Sequence, residues 1–132
     1  MVLLRIEDEV KLLRTRFPDL VFLEEGNWVR LPKIALPTGW SMMPIDIAFQ
    51  FPQAGYPQTA FYGFYVPSGL RINGGVPQNF TDPAPSQPPF PDLKWAFFSG
   101  NPDPWDPKRE IGAGSNVVTW TNSIANRFRE HL

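Results

Sequence analysis

"IDIAFQFPQAGYP" (residues 45–57) carries the strongest strand pattern in the chain and the turn that ends it. Ile45, Ile47, Phe49 and Phe51 fall on one face of an extended segment, and Asp46, Ala48 and Gln50 on the other. That is the period of a strand with one buried face. "PQAGYPQT" (52–59) follows as a proline-punctuated turn. "FYGFYV" (61–66) is then apolar on both faces, as expected of a strand covered on both sides. Upstream, "LVFLEE" (20–25), the turn "GN" (26–27) and "WVRLPKIAL" (28–36) read as a hairpin, with Gly-Asn in the less usual order for such a turn. "PTGW" (37–40) is a connecting loop.

Helices flank these strands. Leu3, Ile6, Val10, Leu13 and Phe17 recur at alternating steps of three and four, which predicts a helix over 2–17 with Arg5, Asp8, Lys11 and Arg14 off its apolar stripe. Pro18 stops it. At the other end, Gly114 breaks structure, Ser115 is a capping residue, and Val117, Trp120, Ile124 and Phe128 form a second stripe. Between Pro67 and Leu93 no periodicity holds. Eleven of the 16 prolines lie between Pro52 and Pro104, and "PAPSQPPFP" reads as a stiff surface loop in preference to a ligand for SH3 or WW domains. The expectation is one α+β domain spanning 1–132: an N-terminal helix, a four-stranded antiparallel meander, a long irregular Pro-rich segment and a C-terminal helix.

Composition removes several function classes. A formal net charge of −1 gives no footprint for nucleic acid or anionic lipid. The absence of cysteine removes disulfides, thiolate metal sites and thiol nucleophiles. The only histidine is His131, so a His-based triad or His-rich zinc site is not expected. Asp8, Glu9, Asp46 and Asp82 lack metal-ligand spacing, and Gly74-Gly75 is too short for a phosphate loop, so no metal and no cofactor are expected. The five tryptophans and eleven phenylalanines follow strand and helix periods, as core residues do. No apolar run reaches the length of a membrane span and the N-terminus lacks a signal-peptide layout, so a cytoplasmic location without membrane contact is expected.

"WVRL", "IAFQFPQAGYP" and "FYGFYVP" resemble the ubiquitin-conjugating (E2, UBC-like) fold, whose third strand ends in a Phe-Pro pair and a Tyr-Pro turn, here Phe51-Pro52 and Tyr56-Pro57. "WDP" (105–107) looks like the tryptophan-proline element that follows the E2 active site. "LPTGW", "GFYVPSGLR", the string from Trp95 to Ser99 and "GSNVVTW" resemble more closely the bacterial group called prokaryotic E2 family E. The resemblance implies association with an E1-like adenylating enzyme and a ubiquitin-like modifier. It also exposes departures. The His-Pro-Asn tripeptide of E2 proteins is replaced by Val76-Pro77-Gln78-Asn79, and the window that should hold the cysteine reads Phe97, Phe98, Ser99, Gly100.

Ser99 is thus the candidate acyl acceptor, with Asp103, Asp106 and Lys94 as helpers to activate a hydroxyl that is protonated at neutral pH. Its alternative role is that of a turn serine beside Gly100-Asn101-Pro102. Lys94 is a second nucleophile candidate if partly buried, and Asn79 a candidate oxyanion donor or a turn asparagine. Trp95, Phe98 and Trp105 are expected to frame the groove around Ser99. By resemblance, Lys11, Arg14 and Arg16 on the first helix are candidates for partner binding. Three readings follow: a conjugating enzyme that carries the modifier's C-terminus on Ser99 or Lys94, a non-catalytic E2-like module that binds E1 or the modifier, and an α+β interaction domain outside that pathway.

Overall fold

In the computed structural model, residues 3–102 and 104–130 are described. The chain runs α1 (Leu4–Arg14), β1 (Val21–Leu23), β2 (Trp28–Ile34), β3 (Ile45–Gln50), β4 (Phe64–Pro67), β5 (Phe80–Thr81), β6 (Trp95–Phe98), a short 3-10 turn (Ile111–Ala113) and α2 (Val117–Glu130). The strands form one sheet in the order β1-β2-β3-β4-β6-β5, with every pair antiparallel. The architecture is α+β, and the first four strands form the expected meander. The expectation of four strands falls short, because β6 and β5 extend the sheet beyond β4 inside the segment read as irregular. β5 has only two residues and β6 is apolar throughout, so neither shows an alternation to read. The first helix ends at Arg14, three residues before the expected limit, and the expected first residue lies outside the described residues.

Register places Val29, Leu31, Ile47, Phe49, Phe64, Val66, Ala96 and Phe98 on one face. They pack with Ile6, Val10 and Leu13 of α1 and Val117, Trp120, Ile124 and Phe128 of α2 in one core. Phe49, Phe51, Phe64, Leu13 and Trp120, the residues that patterning sends inside, are all buried. Between Leu31 and Ile34 the register shifts, so that Pro32 and Lys33 stand against Asp46 alone. This bulge holds Lys33 at φ 55, with its N–H donated to Asp46 Oδ1 at 3.0 Å. It also returns Ile34 to the same face as Leu31.

The opposite face is not bare. The Pro-rich segment folds over it and buries Phe90 and Trp95 against Ala48, with Leu23, Trp28 and Tyr65 alongside. Arg30 fixes this layer. Its guanidinium donates to both Asp92 oxygens at 2.7 and 2.8 Å and to Asp46 at 2.8 Å, and lies 5.4 Å from the Phe90 ring centre and 5.2 Å from that of Trp95. The segment read as a surface loop is therefore a second layer, which explains why "FYGFYV" is apolar on both faces.

The Arg30 hydrogen bonds hold the Asp92 carboxyl below the usual carboxylate range. A depressed acid stabilises the fold above its unfolded value of about 3.9 and loses that contribution as pH falls through the lower folded value. Acidification below about pH 4 is therefore expected to weaken the hold of Arg30 on the 84–95 layer. Hydrogen exchange at the Ala84 and Trp95 amides, both bonded within this layer, measures it. In Asp92→Asn the same amides should exchange faster already at neutral pH, with a weaker acid step.

Candidate functional site

Ser99 directly follows β6, and Asn79 directly precedes β5. Because Phe80 pairs with Phe98, the next pair outward is Asn79 with Ser99. The Ser99 N–H donates to the Asn79 carbonyl at 3.0 Å, and the Ser99 hydroxyl reaches the same oxygen at 3.5 Å. The Ser99 carbonyl accepts from Arg127 Nη1 of α2 at 3.0 Å, and the Gly100 carbonyl accepts from the Gly63 N–H at 2.8 Å. The segment is thus held from three sides, through its backbone.

The structure brings Ser99 and Asn79 together, as the sequence reading required, but through a different group. The Asn79 atom that meets Ser99 is its carbonyl oxygen, an acceptor. An oxyanion needs donors, so this contact cannot stabilise one. Asn79 is exposed, in the left-handed region at φ 58, as befits a turn asparagine. With Val76, Pro77, Gln78, Arg127 and Glu130 it lines an open polar depression of about 560 Å³.

No carboxylate or amine is a hydrogen-bond partner of Ser99 among the described residues. Asp106 is exposed and paired with Lys108 at 2.9 Å. Asp103 and His131 lie outside the described residues. Lys94 precedes β6 at its far end, roughly 16 Å from Ser99 at the rise of a strand, and it is exposed. The partial burial that would free its amine is missing.

The residues expected to frame the groove are dispersed by the strand's alternation. Phe98 is fully buried on the helix side, with ring centres of Phe64 at 5.2 Å and Phe80 at 5.2 Å. Trp95 is fully buried on the opposite face, where its indole N–H donates to the Phe90 carbonyl at 2.9 Å. Trp105 packs edge-on to Phe61 at 5.6 Å and donates to the Pro57 carbonyl at 2.8 Å, tying the segment after Ser99 to the Tyr56-Pro57 turn. All three are structural supports rather than groove walls.

Lys11, Arg14 and Arg16 are exposed at the end of α1 and just after it. Arg14 donates to the Leu20 carbonyl at 2.9 Å and Arg16 to Asn122 Oδ1 at 3.0 Å, so two of the three also brace neighbouring elements. Helix α2 is capped by Asn116, not Ser115. Asn116 Oδ1 accepts from the N–H groups of Val118 at 2.8 Å and Thr119 at 3.1 Å, whereas Ser115 Oγ accepts from the Asp106 N–H at 2.8 Å.

Sequence reasoning missed one polar centre. Glu9 is fully buried and accepts from Arg5 Nε at 2.8 Å, the Tyr56 hydroxyl at 2.6 Å and the Val117 N–H at 2.7 Å. Its carboxylate joins α1, the turn after β3 and the N-terminus of α2, where negative charge is favoured. The signal was present: Glu9 lies three residues after Ile6 and four before Leu13, on the buried stripe.

Among the described residues no cluster of three His, Cys, Asp or Glu side chains is placed to hold a metal, and no helix is long and apolar enough to cross a membrane. The chain matches no family model, no curated protein and no solved structure.

Proposed function

We propose that this chain is a UBC-like, non-transferring module that binds an E1-like adenylating enzyme or a ubiquitin-like modifier and positions one for the other. The observation that carries the reading lies at Ser99. The residue in the place of the missing cysteine has its hydroxyl turned to a main-chain carbonyl at 3.5 Å, and no base is among its partners in the described residues. A hydroxyl so placed lacks the activation that acyl transfer requires. The order helix, antiparallel meander, C-terminal helix, with a Tyr-Pro turn after the third strand, supports the E2-like part of the reading. The exposed cations Lys11 and Arg14 at the end of α1, with Arg16 just after it, supply a docking face.

The test is incubation with an E1-like enzyme, a ubiquitin-like protein and ATP, followed by intact-mass measurement and size-exclusion chromatography. A complex without covalent mass gain is expected. Ser99→Ala should leave that complex intact and change unfolding stability by no more than about 0.5 kcal/mol, as for a surface position with one weak bond. A base-labile adduct on the wild-type chain that Ser99→Ala abolishes would overturn the reading in favour of a conjugating enzyme.

A further inference from the structure

The C-terminal half of α2 does not close fully on the sheet. Beside the bulge, Phe17, Ile34, Leu36, Ile124, Ala125 and Phe128 enclose a cleft of about 320 Å³ with an apolar lining. We propose that this cleft binds a small hydrophobic carboxylate, an alkyl or aryl chain ending in a carboxylate, with its apolar body between β2 and α2 and its charge at Arg129.

Three observations converge on that chemistry. The first is shape. The volume sits at the low end of small-molecule sites, which run about 300–1,000 Å³. The bulge at Pro32-Lys33 puts Ile34 on the α2 side of the sheet, where it lines the cleft, and the strand ends there.

The second is the floor. Thr121 is the polar side chain within the cleft, and its hydroxyl already donates to the Val118 carbonyl at 2.7 Å. The body of an occupant therefore meets carbon, and a polar body would lose its hydration without replacement.

The third is charge at the mouth. Arg129 lines the cleft and is exposed. A shallow depression that shares Phe17, Ile34 and Ala35 with it carries Arg16 and Lys33 against one acid, Asp19. Among the described residues none of these three cations is in an ion pair. Arg129 donates to Asn126 Oδ1 at 2.6 Å and Arg16 to Asn122 Oδ1 at 3.0 Å, both neutral oxygens. A planar guanidinium beside an apolar cleft suits a carboxylate, which it can take through two parallel bonds.

The probe is decanoate, titrated calorimetrically below its micelle concentration, with decanol as the neutral partner of equal chain. One saturable site for decanoate is expected, with decanol at least tenfold weaker. Arg129→Glu, at an exposed position that leaves the fold alone, should weaken decanoate at least tenfold and leave decanol unchanged. Ala125→Trp should fill the cleft and abolish both; its melting curve shows whether it folds, and Arg129→Glu decides the matter if it does not. Non-saturable uptake, equal affinity for decanol, or wild-type decanoate affinity in Arg129→Glu would overturn the proposal.

Discussion

Replacing Glu9 by alanine is expected to cost about 3–5 kcal/mol of unfolding stability, the usual loss when one partner of a buried ion pair is removed. The size follows from what the carboxylate satisfies. Without it the Arg5 guanidinium, whose side chain is only 17% exposed and whose Nη2 has no hydrogen-bond partner among the described residues, loses its counter-charge. The Tyr56 hydroxyl and the Val117 N–H lose their acceptor in the same step. Glu9→Gln keeps the volume and one acceptor oxygen and should cost clearly less. Tyr56→Phe removes one donor and should cost about 1–2 kcal/mol. Urea denaturation of the three variants gives this ranking; a Glu9→Gln variant as stable as the wild type would show that charge plays no part, and one as costly as Glu9→Ala would show that charge carries the whole effect. The same centre sets the alkaline limit. Burial, then the Glu9 carboxylate, push the Tyr56 phenol far above its ordinary value. An acid with a raised folded value contributes stability below its unfolded value, about 10 for tyrosine, and loses it as pH rises further. Burial raises Tyr65 in the same direction, so Tyr56→Phe should reduce the alkaline loss rather than remove it.

What could be read from the sequence was what repeats. Alternation from Ile45 to Phe51 gave β3, and steps of three and four gave both helices. β6 stayed hidden because Trp95, Ala96, Phe97 and Phe98 are apolar on both faces and follow Pro88, Pro89 and Pro91. The fourth strand begins at Phe64 rather than Phe61 because Gly63, at φ 71, interrupts the extended chain. At the site, the approach of Asn79 to Ser99 was legible only through resemblance to a family. That the contact runs through the Asn79 main-chain carbonyl is set by strand register, where a slip of one residue reverses every group, and no local pattern encodes it. Glu9 shows the opposite failure: its period was visible, but an acid on a buried stripe makes sense only once Arg5, Tyr56 and Val117 converge on it from distant positions.

Gly63→Ala is expected to cost about 3 kcal/mol, and it tests how the Ser99 segment is held. Two costs combine. An L-residue with a Cβ in the left-handed region costs about 1–2 kcal/mol. Overpacking adds about 1–3 kcal/mol, because a Cβ at Gly63 would collide with the Phe97 ring and stand 2.8 Å from the Phe98 carbonyl oxygen. A ring can swing aside, whereas the Phe98 carbonyl moves only if β6 moves. Such a shift would stretch the bond from the Gly63 N–H to the Gly100 carbonyl and loosen the turn that follows Ser99. Gly74 is the control. It too is left-handed, at φ 81, but a Cβ there meets nothing within 4 Å. Gly74→Ala carries only the backbone cost, so the difference between the two variants isolates the close approach of β4 to β6. Thermal denaturation should place Gly63→Ala well below Gly74→Ala, with faster amide exchange at Ser99 in Gly63→Ala alone. If the two variants melt together, β6 yields without cost, and the rigidity of the Ser99 segment must come from Arg127 and Asn79 instead.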